Sequence, residues 1–590
     1  MNEQAPAAAA PGKPKSVEPL PAGAPESLAA YVAARVIAVE DVAAAATLVD
    51  MAARAGQAPP ADVRCWLALC LALRAPRDGH TCVFLDQVAT MVADAETERA
   101  PHPGWPENEE EWRTVLDAAG PLVGEPDGRA PFIVDGGRLY LGRCLEEEER
   151  IAERLVGAGG RNVEILLGGP GTGKTTEVAK RLIELIQREP ETRIALAAPT
   201  GKAAARMAEA LRSRLHDPNA PDEVRNAALA VRQKVDDTKP MTIHTLLGNR
   251  PRGTPRYAFN ATTRLDYNLV VVDEASMLSS SLMHHLLAAL GDDTQLLLVG
   301  DPDQLASVDA GSVLGDIAAA GRAGARLAGR TRTLTVRHRF GPRIGELADA
   351  ILSDEPRLSQ VFDVLGAPWT PPPPAAAGDP PAKPDPVRWI LPGTKAARAL
   401  EIEVVEHARE LERLAEAGDP KAAVEFQKTL QVLCAHRSGR SGVAGWNKLV
   451  ERRLGFSGGS AWYSGRPIMV TRNNRSLRLN NGDVGVVVPV RGESRMDAAF
   501  PTGTEPRRVA VSLLEDVETV HALTIHKSQG SEYGHAIVVL PEKPSRIVTR
   551  ELLYTGVTRA RDMVTIVGSR EVIEAAIKTP IRRATGLAER

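Results

Sequence analysis

The stretch LLGGPGTGKTTEVAK, residues 166–180, sets four residues between Gly168 and Gly173, with Lys174 and Thr175 directly after. An apolar run, VEILL, leads into it, and Val178, Leu182 and Leu185 recur behind it at helical spacing. Glycines at a strand-to-helix turn let successive backbone N–H groups converge on an anion at the positive end of the helix. The pattern therefore predicts a cradle for nucleotide phosphates formed by Gly168, Gly169, Pro170, Gly171, Thr172, Gly173, Lys174, Thr175 and Thr176. Lys174 is placed to reach the β and γ oxygens, and the Thr175 hydroxyl to ligate Mg²⁺. Strand, loop and helix in that order also decide the fold class, which is α/β.

Working outward, RIALAA (193–198), NLVVVD (268–273) and QLLLVG (295–300) are near-continuous apolar runs, as expected when helices cover both faces of a parallel sheet. The second run ends in LVVVDEASM, which puts Asp273 in the metal shell and Glu274 in position to orient or deprotonate an attacking water. The third ends in GDPDQLASV, where the Gln304 amide is a candidate sensor of the γ-phosphate and Asp301 a cap for the following turn. After residues 366–386, whose prolines favour an extended connection, come TLQVLCA, HAIVVL and MVTIVG. These predict a second α/β domain. Residues 457–518 interrupt it with Gly, Val, Arg and turn signals such as NNGDVG, the texture of a small β unit.

A chain of 590 residues exceeds one hydrophobic core and predicts several domains. Hydrophobic residues at 43% and charged residues at 25% fit a soluble globular protein. The formal net charge of −3 gives no global attraction to nucleic acid, so binding to DNA requires a local basic groove. Residues 1–25, rich in Ala and Pro, are expected to form a disordered tail; 26–120, with SLAAYVAARV, CWLALCLALRAP and WPENEEEWRTVLDAAG, a small helical domain. The expected order is then a first motor domain at 121–365, a Pro-rich linker at 366–390, and a second motor domain at 391–590. Cys65, Cys70, Cys82, Cys144 and Cys434 are few and irregularly spaced and form no CxxC pair, so they read as buried small hydrophobes in a reducing compartment. With no apolar run long enough for a bilayer and no secretion signal, the expected location is cytoplasmic.

Together these motifs, with APTGKAAARM (198–207) and TIHTLLG (242–248) between them, resemble the motif set of superfamily 1 DNA helicases. RHRF (337–340), LTIHKSQGSEY (523–533) and ELLYTGVTRARD (551–562) continue it in that family's order. GHTC (79–82), RLYLGR (138–143), CAHRSGRSGVAGWN (434–447) and GRPIMVTRNNRSLRLNNGDVGVV (465–487) resemble its RecD branch, the alpha subunits of exodeoxyribonuclease V. The resemblance covers residues 60–590 apart from the linker. It implies two RecA-like P-loop domains around ATP and Mg²⁺, an SH3-like β insert, and 5′-to-3′ movement on single-stranded DNA and at duplex ends. It also implies RecB-like and RecC-like partner subunits, for which the helical N-terminal domain would be the docking surface.

Residue by residue, the resemblance places Arg559 as the arginine finger and Arg339 as the second γ-phosphate arginine, with Arg561 and Arg337 as neighbouring alternatives. It places Thr200, Gly201, Lys202, Thr242 and His244 on the DNA side of the first motor domain, and Thr524, His526, Lys527, Ser528 and Gln529 on that of the second. Small hydroxyls and backbone N–H groups grip phosphate oxygens without reading sequence. A packed, hydrogen-bonded role for His244 stays open beside the DNA role. Arg466, Arg472, Arg475 and Arg478 of the insert form a local basic patch, either a channel lining or a solvated face.

Two departures bear on function. The Gln that reads adenine upstream of the phosphate loop is missing from ERLVGAGGRNVEILLGG, which leaves nucleotide selectivity open. The helical hairpins of stand-alone RecD-like helicases are also missing, which favours a motor subunit over an autonomous helicase. A structural subunit with an ATP-driven switch is disfavoured by the intact Lys174, Asp273, Glu274, Gln304 and Arg559.

Overall fold

The computed structural model describes residues 19–89, 103–156, 162–215, 222–250, 256–322, 330–336, 341–353, 358–371, 385–456, 462–474, 476–493, 495–502 and 505–590. Arg337 and Arg339 of RHRF, Arg475, and residues 372–384 of the Pro-rich stretch lie outside the described residues.

The N-terminal unit packs helices Leu28–Ala33, Val39–Arg54, Val63–Arg74 and Glu109–Asp117 against a four-stranded sheet. Its strands are β1 (Cys82–Phe84), β2 (Val123–Gly124), β3 (Phe132–Asp135) and β4 (Arg138–Leu141), in the order β1-β4-β3-β2. The acidic turn at 109–111 starts a helix because the Asn108 carboxamide accepts from Glu111 N–H at 2.9 Å while three carboxylates face the positive helix end. Trp66, Trp112 and Phe132 are buried in one core. β1 lies inside the stretch expected to be helical, and its partner β4 lies beyond residue 120, so the core of this unit crosses the expected domain boundary. A three-residue strand is too short to show a period-two pattern.

The first motor sheet is wholly parallel, in the order β10-β5-β9-β8-β6-β7. Its strands are β5 (Val163–Gly168), β6 (Ile194–Ala198), β7 (Met241–Thr242), β8 (Leu269–Val272), β9 (Gln295–Gly300) and β10 (Thr331–Leu334). Every residue of β6 and β8 is buried, the physical basis of their continuous apolar runs.

The second motor sheet is also wholly parallel. It opens with β11 (Val387–Ile390) and β12 (Leu430–Cys434), followed by the insert strands β13 (Pro467–Val470), β14 (Val484–Pro489), β15 (Met496–Phe500), β16 (Arg507–Ala510) and β17 (Val517–Thr519). It resumes with β18 (Ala522–Thr524), β19 (Tyr533–Val539) and β20 (Ala560–Val567), giving the order β11-β20-β19-β12-β18. The insert is a separate antiparallel sheet, β16-β15-β14-β13-β17.

Helices Pro342–Leu352 and Leu358–Leu365, expected at the end of the first motor domain, pack elsewhere. Ile344, Leu347, Val361 and Phe362 share a core with Trp389, Leu553 and Val572 of the second domain. Amphipathic periodicity reveals that a helix has an apolar face but not which sheet covers it.

After helix Arg570–Lys578 the chain leaves the second motor domain. Ala584 joins a cluster with Cys82 and Tyr140, and Leu587 a cluster of the first motor domain. Between them Glu148, fully buried, accepts from the Thr585 hydroxyl at 2.9 Å and the Tyr140 hydroxyl at 3.2 Å. Asp316 accepts from the same Thr585 at 3.2 Å, and burial pushes its carboxyl from 3.8 to about 7, the Thr585 bond opposing and Glu148 reinforcing. A carboxyl raised on folding stabilises below its unfolded pKa, and that contribution is lost as pH rises through the folded value. Asp316→Asn is therefore expected to gain stability relative to wild type as pH rises from about 4 to about 7. Thermal unfolding midpoints of both proteins at the two ends of this window check it; parallel midpoints would contradict it.

Candidate active site

β5 delivers the chain to Gly168, and the turn that follows needs glycine at Gly171 and Gly173, whose φ values are +78° and +87°. A Cβ at Gly168 would run into the Thr172 hydroxyl and the Leu334 carbonyl. The helix Lys174–Arg188 then starts with its N–H groups facing the loop. Lys174 Nζ donates to the carbonyl oxygens of Gly168 at 2.5 Å and Gly169 at 2.9 Å, which holds the ammonium over the cradle. The Thr172 hydroxyl donates to Gly169 O at 2.9 Å and stiffens the turn.

Asp273 follows β8 and its carboxylate accepts from Glu274 N–H at 2.9 Å. Burial first, then the Glu274 charge, push its carboxyl up to about 6, against the pull of Lys174. Glu274 has φ +53°, a left-handed conformation that an ordinary side chain adopts at a cost. Its carboxylate lies beside Gly530 of the second motor domain.

Gln304 sits in the loop after β9. Its Nε2 donates to Asp301 at 3.0 Å, and its Oε1 accepts from Arg559 Nη2 at 2.9 Å. Asp301 also accepts from the Tyr554 hydroxyl at 3.1 Å, and Leu305 N–H donates to the Thr555 hydroxyl at 3.1 Å. The loop of the first domain is thus clasped by the helix Arg550–Val557 of the second.

Arg559 is 4% exposed. Besides Gln304, its guanidinium donates to Thr555 O at 3.1 Å and Ser531 O at 3.3 Å. Arg561 instead pairs with Asp562 at 2.7 Å on the exposed surface. A cavity of 1440 Å³ joins the two domains, lined by Pro170–Thr176, Asp273, Glu274 and Gln304 on one side and Gly530, Thr558 and Arg559 on the other. Arg206 also lines it and donates to Gly530 O across the cleft, a contact that the sequence reading missed although APTGKAAARM contains the residue.

The strand-side residues are brought together only in part. Thr200 caps its helix, accepting from Ala203 N–H at 3.2 Å. Beside it Lys202 is pulled down to about 7 by burial and by Arg206, with Asp483 of the insert opposing. Asn480 of the insert packs on Gly201, so the insert reaches the first motor domain at this motif. Thr242 accepts from Thr245 N–H at 3.1 Å, and the His244 ring lies 6.2 Å from Tyr257, its pKa lowered by burial.

On the second domain Thr524 accepts from Lys527 N–H at 3.3 Å, and Lys527 Nζ pairs with Glu518 at 2.6 Å. Burial, with Arg437 nearby, lowers the pKa of His526. Arg437, Lys448 and Arg452 stand with Thr524 and Lys527 around a groove of 590 Å³, three cations that the motifs alone did not single out. Ser528 and Gln529 make contacts of another kind. Ser528 is fully buried and its hydroxyl donates to Ile525 O at 2.6 Å, while Gln529 donates to Leu305 O at 3.1 Å and so joins the interdomain contact. In the insert, Arg466 is turned inward over Trp462 and bonded to Thr519 at 3.1 Å; Arg472 and Arg478 are exposed. All five cysteines are buried, and burial pushes the thiols of Cys65, Cys70, Cys82 and Cys144 up to about 12.

Three family models match this chain: the N-terminal domain of RecBCD enzyme subunit RecD over residues 33–140, an AAA domain over 153–310, and a UvrD-like helicase C-terminal domain over 519–567. The first ends where β4 completes the N-terminal core. The RecBCD enzyme subunit RecD of Mycolicibacterium smegmatis is 39% identical over 571 residues, covering 90% of this chain and 94% of the relative. That of Mycobacterium tuberculosis H37Rv is 36% identical, with 95% of each chain covered. The ATP-dependent RecD2 DNA helicase of Deinococcus radiodurans is 30% identical over 75% of this chain and 52% of its own length. A nucleotide cleft between two parallel sheets and near full-length similarity to RecD subunits lead to one conclusion: the chain belongs to the RecD family, ATP-dependent DNA helicases of superfamily 1.

Proposed function

We propose that this chain moves 5′ to 3′ along single-stranded DNA and opens duplex ends as the motor subunit of a heteromeric helicase–nuclease, with RecB-like and RecC-like partners, in double-strand-break repair and recombination. The observation that carries this reading is the 2.9 Å bond from Arg559 of the second domain to Gln304 of the first, inside the cavity that also holds Lys174. Lys174 and Arg559 then stabilise the charge that spreads over the γ-phosphate oxygens, and Glu274 orients the attacking water. The Thr175 hydroxyl and the Asp273 carboxylate are hard oxygen donors, and Lys174 is near enough to perturb Asp273, so this corner fits Mg²⁺. When bound, that ion neutralises charge on the β and γ oxygens.

Loss of the γ-phosphate removes the second domain's anionic partner and lets the cleft open. Thr200, Lys202, Thr242 and His244 ride on one domain and Thr524, His526 and Lys527 on the other, so opening shifts one grip on the strand relative to the other. Arg437, Lys448 and Arg452 add phosphate contacts to the second grip. No described helix is long and apolar enough to cross a membrane, and five free, buried cysteines accord with a cytoplasmic location.

Strand displacement on duplexes with a 5′ or a 3′ tail tests the reading. Unwinding is expected from the 5′ tail only and is expected to vanish in Lys174→Gln; unwinding from the 3′ tail, or wild-type activity in the variant, would contradict it. The RecD2 relative favours a second reading, an autonomous 5′-to-3′ helicase. Processive unwinding by the isolated chain, unchanged when partner subunits are added, would select it.

A further inference from the structure

The tetrapeptide GHTC, residues 79–82, lines neither the nucleotide cavity nor the groove beside Thr524. It is a socket for the segment that follows the second motor domain. Gly79, at φ +88°, lies under the Arg583 guanidinium, and a Cβ there would run into it. His80 Nδ1 accepts from Ala584 N–H at 2.9 Å, and Thr81 N–H donates to Ala584 O at 2.9 Å. The Thr81 hydroxyl donates to the same carbonyl at 3.1 Å.

Arg583 joins three parts of the molecule. Its backbone follows the last helix of the second motor domain, Nη1 donates to Asp78 O of the N-terminal unit at 3.1 Å, and Nη2 donates to Ser307 O of the first motor domain at 2.8 Å. Ser307 lies in the same loop as Gln304. At Leu305 that loop is packed into the core of the second domain, so cleft opening pulls on it there. At Ser307 and Gly311 it is held by Arg583 and by Gly79, whose carbonyl accepts from Gly311 N–H at 3.0 Å.

We propose that Arg583, seated on Gly79, is a positioning residue for γ-phosphate sensing: it anchors the far side of the Gln304 loop, so that Gln304 meets Arg559 in register and the N-terminal unit feels the state of the cleft. This rests on the reading of Gln304 and Arg559 as the nucleotide-facing pair. A loop gripped only at residues 301–305 travels with the second domain. A second grip at 307–311 confines the change to the residue between, Ala306.

The test is DNA-stimulated ATPase of the full-length chain for wild type, Arg583→Gln, Arg583→Lys, Gly79→Ala and Gln304→Ala. Displacing a reacting geometry from a distance lowers rate more than affinity, so Arg583→Gln is expected to lose about tenfold in kcat with little change in KM for ATP or in melting temperature. Gly79→Ala, which dislodges an intact Arg583, is expected to match the kcat loss while also melting lower, because alanine is strained at φ +88°, and Arg583→Lys, able to reach one carbonyl, to recover part of the rate. Wild-type kcat in Arg583→Gln and Gly79→Ala, with Gln304→Ala impaired, overturns the proposal. So does a kcat loss in Arg583→Gln that only tracks a lower melting temperature. Wild-type kcat in Gln304→Ala instead removes the cleft assignment, and this proposal falls with it.

Discussion

Arg559→Ala is expected to lower the DNA-stimulated ATPase rate by about 10³-fold while nucleotide binding persists, the loss typical of removing an arginine finger. Its guanidinium is 4% exposed, and its three acceptors, Thr555 O, Ser531 O and Gln304 Oε1, are all neutral. Burying a cation among neutral groups costs several kcal/mol that an anion arriving in the cleft offsets. The offset is greatest when that anion carries the extra charge of the transition state, so truncation strikes kcat rather than KM. Arg561 supplies the internal control. It is exposed and paired with Asp562, and Arg561→Ala is expected to leave the rate unchanged. Steady-state ATPase across both variants checks the pair, and equal losses would contradict the assignment.

Glu274→Gln is expected to reduce hydrolysis by about 10² to 10⁴-fold, the range for losing a positioned general base, while ATP-dependent DNA binding survives. The left-handed φ of +53° adds a second signature at this position. A non-glycine residue held there costs about 1–3 kcal/mol, which a binding or structural role at the end of β8 does not require. Glu274→Gly is accordingly expected to melt higher than Glu274→Gln while remaining as inactive. Single-turnover hydrolysis with thermal melts of the three proteins measures both effects; a glycine variant that melts lower than wild type would show that the backbone is not strained for catalysis.

The phosphate loop was legible because its chemistry is local: one strand, two glycines with positive φ and a helix start suffice to aim Lys174. The same holds for Asp273, which any buried strand ending in an acid beside such a loop places at its floor. Arg559 was legible only through family motifs, since nothing in VTRA says that the next turn faces another domain. Ser528 and Gln529 show the limit of that route, because a shared motif fixes the position of a residue and not the direction of its side chain. Ser528 points into its own turn and Gln529 points across the domain interface. Helices Pro342–Leu352 and Leu358–Leu365 were visible as helices, but their partner, the second sheet, lies on the far side of the Pro-rich stretch. The contact made by GHTC was hidden for a related reason: its partner, Ala584, is about 500 residues away in sequence, where no periodicity connects them.

In the proposed mechanism Arg559 senses the γ-phosphate by closing one domain on the other. Spin labels at the exposed positions Glu209, on the helix bearing Arg206, and Asp562, at the start of β20, report that closure by pulsed dipolar spectroscopy. With single-stranded DNA bound, the label separation is predicted to differ between a non-hydrolysable ATP analogue and ADP, and Arg559→Ala is predicted to abolish the difference. One separation in both nucleotide states, or a difference that persists without the Arg559 guanidinium, would contradict it.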